Sequence, residues 1–260
     1  MMKPERVWVI ASNVFLEVIR DRILYLVALF ALLMVIATGL LPEIAAGTED
    51  KLTLDLGLAA INVFALVVVV FIGTGLINKE IEKRTVLVLI AKPVRRLEFI
   101  IGKHLGLSAV IAVLLLLLTV IYIGVLSANQ IAFSLASLLL AALFMFLEMM
   151  LLTAFAILFG VFTSSLLATL LTFAIYLMGH LSRDIVALGK LADDPNIQRI
   201  TDATYLILPD LARLNLKNQA VYGLQLLPNS LELASHALYA FLYTVLLIVL
   251  SIMIFSRRQF

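Results

Sequence analysis

Residues 105–126 read LGLSAVIAVLLLLLTVIYIGVL, a run of 22 residues without a charged side chain. A bilayer core about 30 Å thick requires roughly 20 apolar residues of α-helix. The run does not alternate between apolar and polar residues, so a lipid-facing barrel strand is not indicated. We therefore expect residues 105–126 to cross a membrane as a helix, because a helix satisfies its own backbone hydrogen bonds in hydrocarbon.

The whole chain shares this apolar character. Of its 260 residues, 63% are hydrophobic and 14% are charged, whereas soluble globular chains have about 45–50% and about 25%. The mean hydropathy is +1.14. So few polar residues cannot cover a soluble globule, which excludes a soluble enzyme, a nucleic-acid-binding protein and a disordered tail. Cysteine is absent, which excludes disulfides and thiolate metal sites.

Five further runs are long enough to cross a bilayer, and none of them alternates with period two. The sequence therefore predicts an all-α integral membrane protein with six spans in a single domain, residues 1–260. The five additional predicted spans are residues 23–41, 57–77, 133–162, 166–182 and 237–255.

The basic residues lie mainly on one side of these spans. The N-terminal segment, the loop between spans two and three, and the C-terminus together carry 13 of the 19 Lys and Arg residues. Lys and Arg are enriched in cytoplasmic loops. We therefore expect both termini of a multi-pass protein to be cytoplasmic.

Residues 5–20 precede the first span without a break and form a strongly amphipathic helical pattern. Trp8 suits the headgroup zone of a membrane. The pattern fits an elbow helix lying on the cytoplasmic leaflet, and it also fits a plain anchor that flanks span one. The polar face of the predicted helix consists of Arg6, Asn13, Glu17 and Arg20.

The loop between spans two and three has more structure than a connector requires. A charged helical run over residues 79–91 ends before Pro93, which disfavours helix at the preceding residue. A second short helix then leads into span three. A topology signal would explain the Lys and Arg of this loop, but it would explain neither its three Glu residues nor its helix–proline–helix form.

Residues 183–236 form a long segment between spans five and six, which we call the outer segment. Three prolines divide it, and its apolar residues keep helical spacing. We expect several short, ordered helices here. Residues 205–211 are predicted to lie against the membrane or a partner protomer.

Motifs for catalysis are absent from the sequence. It contains no GxxxxGK[ST] phosphate loop, no HExxH and no GxSxG. His104, His180 and His236 lie near span ends without ligand spacing, so interfacial placement explains them better than metal binding. We expect no catalytic, cofactor-binding or metal-binding residue in this chain, and no enzyme activity.

Glu148 is the one charged residue within residues 133–162. A charge at that depth costs at least about 2.5–3.5 kcal/mol and should face protein or water. Glu148 is therefore either a contact in a transport pathway or a protonated carboxyl group bonded to a neighbouring helix, through Thr or Ser side chains of span five.

The loop after span two resembles that of the membrane subunits of type-2 ABC exporters. The Arg84–Thr85 pair resembles the branch of small permeases that includes the nitrous-oxide-reductase maturation transporter. The order and spacing of the motifs extend the resemblance over the whole chain. The matching residues are Glu80, Glu82, Thr85, Lys92-Pro93-Val94-Arg95-Arg96, Gly102-Lys103, Glu148, Phe162-Thr163-Ser164-Ser165 and Leu208-Pro209-Asp210-Leu211.

The resemblance implies a permease of a bacterial-type inner membrane that forms a homodimer and recruits two copies of a separate ATPase. ATP and magnesium would be bound by that ATPase. Residues 79–91 match the coupling helix of the family, and the turn at 163–165 matches a second, smaller contact. The implied coupling residues are Glu80, Glu82, Lys83, Arg84, Thr85, Thr163, Ser164 and Ser165.

We therefore expect an exporting permease with an apolar or amphipathic substrate. One alternative is a membrane anchor that passes ATP-driven motion to an outer-side protein without moving a solute. Another is an intramembrane enzyme that uses Glu148, which no partner nucleophile or metal set supports.

Overall fold

A computed structural model describes residues 3–45, 47–82, 95–192 and 195–257. Within these ranges the protein is helical and has no strand, which confirms the predicted fold class. The α-helices are α1 (Pro4–Val18), α2 (Leu24–Ile44), α3 (Glu49–Val68), α4 (Thr74–Glu82), α5 (Arg96–Ala128), α6 (Leu135–Phe162), α7 (Ser165–Leu191), α8 (Pro195–Ile207), α9 (Lys217–Val221) and α10 (Ser230–Arg257).

Six of the described helical stretches are long and apolar enough to cross a membrane, as the sequence predicted. The second stretch, Glu49–Asn78, is continuous because a π-helical turn, Val69–Gly73, joins α3 to α4. The third begins at Arg96, nine residues before the uncharged run, because its first turn is capped. The Glu98 carboxylate accepts a hydrogen bond of 3.1 Å from the backbone N–H of Arg95.

Helix α1 packs along the first half of α5. Its buried stripe contains Val7, Ala11, Val14 and Val18. This stripe meets two glycines one turn apart on α5: a Cβ at Gly102 would lie 2.8 Å from the Cβ of Ile10, and one at Gly106 would lie 2.7 Å from the Ala11 carbonyl oxygen. Small residues at this spacing let two helix backbones approach closely. The helix predicted over residues 5–20 is thus present, and its position on a leaflet stays a prediction.

The N-terminal end of α1, the start of α5 and the end of α10 meet on one side of the protein. The Lys3 N–H donates to Glu98 Oε1 over 2.8 Å, and Arg96 donates to the Phe255 carbonyl oxygen over 3.2 Å. The rings of Phe99 and Phe255 stack with centroids 5.6 Å apart. We call this the terminal side, and the side that carries the outer segment the opposite side. The cytoplasmic position of the terminal side stays a prediction.

Helix α6 lies at the centre of the fold. It packs against α4, α5, α7, α9 and α10. More than half of its residues are buried, in an unbroken run from Leu151 to Leu158 on the side toward the end of the helix. A polar residue in the middle of α6 is therefore surrounded by protein.

Candidate functional site

Glu148 lies near the midpoint of α6, and its side chain is 0% exposed. It faces α7 and the outer segment rather than lipid. The cost of placing a carboxylate in this position is several kcal/mol unless other polar groups compensate for it. The groups around Glu148 therefore decide what it can do.

Two residues of α7 lie next to this carboxyl group. His180 Nε2 is 3.4 Å from Glu148 Oε1. One turn earlier, the Tyr176 hydroxyl donates to Asn62 Oδ1 of α3 over 2.7 Å, and the Tyr176 and His180 rings are 4.5 Å apart. Residues four apart lie on the same face of a helix. Helices α3, α6 and α7 thus meet in one polar cluster, which consists of Asn62, Glu148, Tyr176 and His180.

Four polar atoms of this cluster have no hydrogen-bond partner within the described part of the chain. They are Glu148 Oε1 and Oε2, His180 Nε2 and Asn62 Nδ2. The distance between Glu148 and His180 suits an ion pair, but the orientation of the two groups falls short of a hydrogen bond. Buried polar groups are nearly always bonded, so four unpartnered atoms in one cluster indicate a site rather than ordinary packing.

The outer segment contributes a cation to the cluster. Helix α9 begins at Lys217 and packs against α3 and α6. Lys217 is half-buried, and the apolar residues nearest to it in the sequence, Leu214, Leu216 and Ala220, are buried. Burial lowers the pKa of Lys217, and the charge of Glu148 partly offsets that shift. Because α9 packs against α6, Lys217 and Glu148 lie on neighbouring elements of the fold.

A second carboxyl group, Asp210, holds the outer segment in place. Arg183 of α7 donates to it through Nε over 2.9 Å, Arg213 donates through Nε over 2.8 Å, and the Tyr205 hydroxyl donates over 3.0 Å. Burial would raise the pKa of Asp210, but these hydrogen bonds from Arg213, Arg183 and Tyr205 outweigh burial and hold the pKa below its ordinary value. The backbone N–H of Asp210 donates to the Tyr239 hydroxyl of α10 over 2.9 Å.

The contact between the outer segment and α7 is also sterically tight. A Cβ at Gly179 would lie 2.7 Å from Leu211 Cγ and 3.0 Å from the Pro209 carbonyl oxygen. The predicted short helices of the outer segment are confirmed. Residues 208–211 pack on α7 and α10 of the same chain, and their contact with the membrane or a partner protomer stays a prediction.

The coupling residues implied by the resemblance divide between described and undescribed parts of the chain. Glu80 and Glu82 lie in the last turns of α4, whereas Lys83, Arg84 and Thr85 lie outside the described residues, as does most of the predicted helix 79–91. Thr163, Ser164 and Ser165 form the turn between α6 and α7.

Ile77 of α4 and Val161, just before the turn at 163–165, share one buried cluster with Phe99 and Phe255 on the terminal side. The hydroxyl groups of Thr74 and Thr169 are 2.9 Å apart, which joins α4 to the first turns of α7. A Cβ at Gly160 would lie 3.3 Å from the Thr74 carbonyl oxygen, which joins α4 to the end of α6. A protein on the terminal side could therefore contact both segments.

Sequence analysis identified Glu148 but not its partners. His180 was interpreted as an interfacial residue, and Lys217, Tyr176 and Asn62 were not considered. The available signal was local to span five, where Tyr176 and His180 lie four apart on one face of a mostly apolar helix. Thr or Ser side chains of span five were expected beside Glu148, and the histidine is found there instead.

Comparison with known proteins gives one match that spans nearly the whole chain. The model of the family described as ABC-2 family transporter protein matches residues 8–260. The matched region includes all six candidate spans, the loop after α4 and the outer segment. No curated protein matches the chain at a significant level of similarity.

Proposed function

Because the chain belongs to the ABC-2 family of transporter membrane proteins, it is a multi-pass membrane subunit of a transporter, and we propose that it works as a homodimer driven by two copies of a separate ATPase. The observation that carries this proposal is the family match over residues 8–260, which includes the loop proposed to bind the ATPase. Transport would be export of an apolar or amphipathic substrate. The Arg84–Thr85 pair supports membership of the branch of small permeases that includes the nitrous-oxide-reductase maturation transporter.

ATP binding is assigned to the partner subunit in this proposal. The sequence contains no GxxxxGK[ST] phosphate loop, and nucleotide phosphates are commonly held by such a loop. ATP and magnesium would therefore remain on the ATPase, and this chain would contribute the membrane pathway and the contact surface.

We place the main ATPase contact on residues 79–91 and a smaller one on Thr163, Ser164 and Ser165. The turn at 163–165 and residues 79–82, the described part of the first segment, adjoin the terminal side. Charged residues crowd the start of the first segment, and charge pairs at a desolvated interface couple by about 1.5–7 kcal/mol. Movement of the ATPase would then pass through α4 directly to α6 and α7, which pack against it.

Reversal of two charges tests this surface. Glu82→Lys combined with Arg84→Glu should lower recovery of the ATPase in a pull-down by at least about tenfold, because about 1.4 kcal/mol of lost coupling already gives that factor. The ATPase rate stimulated in liposomes should fall in parallel. Insertion should survive, since the net charge of the loop is unchanged.

A matched charge reversal on the opposite side is the control. Arg199→Glu combined with Asp202→Lys changes two exposed residues of α8. The control should bind the ATPase like wild type. If the Glu82/Arg84 variant recovers as much ATPase as wild type, the docking surface lies elsewhere, at residues 163–165 or on α1.

A second function is favoured by one observation on the opposite side. The folded outer segment exposes several apolar side chains: Tyr222, Leu224, Leu226 and Leu231. Exposed apolar surface commonly marks a binding site. The chain would then be a membrane anchor that transmits ATP-driven motion to an outer-side protein. Uptake of candidate solutes into inverted vesicles separates the two functions, because only the permease accumulates a solute with ATP.

A further inference from the structure

Two hydrogen-bond acceptors face each other in the interior of the protein. His180 Nδ1 lies 3.0 Å from the Tyr176 carbonyl oxygen. A carbonyl oxygen can only accept, so Nδ1 must carry a hydrogen, and in the neutral imidazole Nε2 is then a lone-pair acceptor. Nε2 lies 3.4 Å from Glu148 Oε1. An ionised carboxylate is also an acceptor only, so the contact is repulsive unless a proton is added to it.

We propose that Glu148 and His180 together bind one exchangeable proton, and that the outer segment controls its binding through Lys217. The proton resides either on the carboxyl group, which then donates to Nε2, or on Nε2, which then donates to the carboxylate. Each state adds one proton to the pair and changes no other bond. Both states turn the repulsive contact into a charge-assisted or neutral hydrogen bond.

Several polar groups around the pair are engaged by other residues of the described chain. The Tyr176 hydroxyl is committed to Asn62, and His104 of α5 is engaged by the Met150 carbonyl oxygen. On α10, the Tyr243 ring packs against Phe155. Asp210 faces His180 from the outer segment, but it already accepts from Arg183, Arg213 and Tyr205. Lys217 is the cation that interacts with both Glu148 and His180.

The positive charge of Lys217 disfavours proton binding to the Glu148–His180 pair. The ammonium group favours an ionised Glu148, and a proton on the pair removes the negative charge that attracts the ammonium group. Linkage makes the effect reciprocal: docking of α9 disfavours proton binding, and proton binding weakens docking of α9 by the same factor. Since α9 belongs to the outer segment, the proton affinity of the pair depends on whether that segment is docked on α3 and α6.

Infrared spectroscopy of the purified chain in lipid nanodiscs tests the proposal without the ATPase, so its outcome is independent of the proposed function. A pH titration of the wild-type protein should show one buried group that gains a proton, seen as a carboxylic-acid or an imidazolium band that shifts in D2O. Glu148→Gln should remove this transition. A wild-type protein with no such transition, or a transition that persists in Glu148→Gln, would overturn the proposal.

The role of Lys217 has its own variant and control. Lys217→Met should raise the pH midpoint of the transition by about one pH unit or more, the size of shift that a nearby opposite charge produces. Lys190→Met, on an exposed residue of α7, is the matched control and should leave the midpoint in place. Equal midpoints in both variants would exclude control by the outer segment. Size-exclusion profiles confirm that each variant is folded before titration.

Discussion

Asp210 and Glu148 are two buried carboxyl groups whose hydrogen-bonding environments differ. Asp210 accepts hydrogen bonds from two arginines and a tyrosine at 2.8–3.0 Å. Glu148 is 0% exposed and has no hydrogen bond within the described part of the chain. A carboxylate whose oxygens accept several hydrogen bonds holds its neighbours in place. A carboxyl group without hydrogen bonds can change its protonation state. The comparison separates a structural anchor from a candidate switch.

The largest effect on stability is expected from the anchor. Asp210→Asn removes the negative charge that Arg183 and Arg213 share, and leaves two guanidinium groups facing a neutral amide. The loss should be on the order of 2–3 kcal/mol, less than for a fully buried pair because both arginines are partly exposed. Thermal unfolding in detergent measures it, and Asp202→Asn on exposed α8 is the control.

At acidic pH the wild type and Asp210→Asn should have more similar free energies of unfolding. The pKa of Asp210 is lowered in the folded protein, so its stabilising contribution is fully present above the ordinary value of 3.8 and is lost as the pH falls through the lowered pKa. The difference in unfolding free energy between the two proteins should therefore stay constant from neutral pH down to about pH 5 and decrease below that. A difference that decreases near neutral pH would contradict the assignment of Asp210 as a bonded carboxylate.

A smaller loss is expected where the outer segment meets α7. Gly179→Ala places a Cβ 2.7 Å from Leu211 Cγ and 3.0 Å from the Pro209 carbonyl oxygen, and a backbone oxygen cannot turn aside as a side chain can. Overpacking of this kind costs about 1–3 kcal/mol.

Gly124→Ala is the matched control, because a Cβ there meets nothing within 4 Å. It should stabilise α5 by a few tenths of a kcal/mol, or by up to about 1, since alanine is the better helix former. Equal melting temperatures for the two variants would show that the outer segment does not pack tightly on Gly179.

Apart from the control Gly124→Ala, the smallest effect is expected at Glu148. Glu148→Leu removes the desolvation cost of an unbonded buried carboxyl group, but it also removes the charge that interacts with Lys217, so the free energy of unfolding should change by no more than about 1 kcal/mol. The same thermal assay measures it. Gln is the conservative comparison, since it keeps the shape and removes the charge. A loss of well over 1 kcal/mol in both Glu148→Leu and Glu148→Gln, on the order of the 2–3 kcal/mol expected for Asp210→Asn, would show that Glu148 is hydrogen-bonded like Asp210.

Pattern in the sequence accounted for the helices and their number. Uncharged runs of about 20 residues can only be helices in a bilayer, because hydrocarbon offers the backbone no other partner. The same logic located Glu148 inside the protein, since a lipid-facing carboxylate at that depth is too costly. These conclusions depend on short stretches of chain and on the solvent, so no long-range contact was needed to reach them.

The sequence did not predict which distant residues contact each other. Glu148 and His180 are 32 residues apart, and Arg183 and Asp210 are 27 apart. Helical periodicity states which residues share a face, but not which faces meet. The glycines at 102 and 106 lie four apart on one face of α5, and only the packing shows that α1 is the helix they admit.

The sequence by itself determined that this protein is a six-span helical membrane protein with an ordered outer segment and a carboxyl group, Glu148, in the middle of its fourth span. Hydropathy decides these features because the transfer of each side chain and each backbone group into lipid has its own free energy, which is local. Only the tertiary structure decided that Asp210 is bonded and Glu148 is not, that Lys217 reaches the core, and that a histidine faces the unbonded carboxyl group. Those properties belong to pairs of residues, and the packing of α6, α7 and the outer segment creates the pairs.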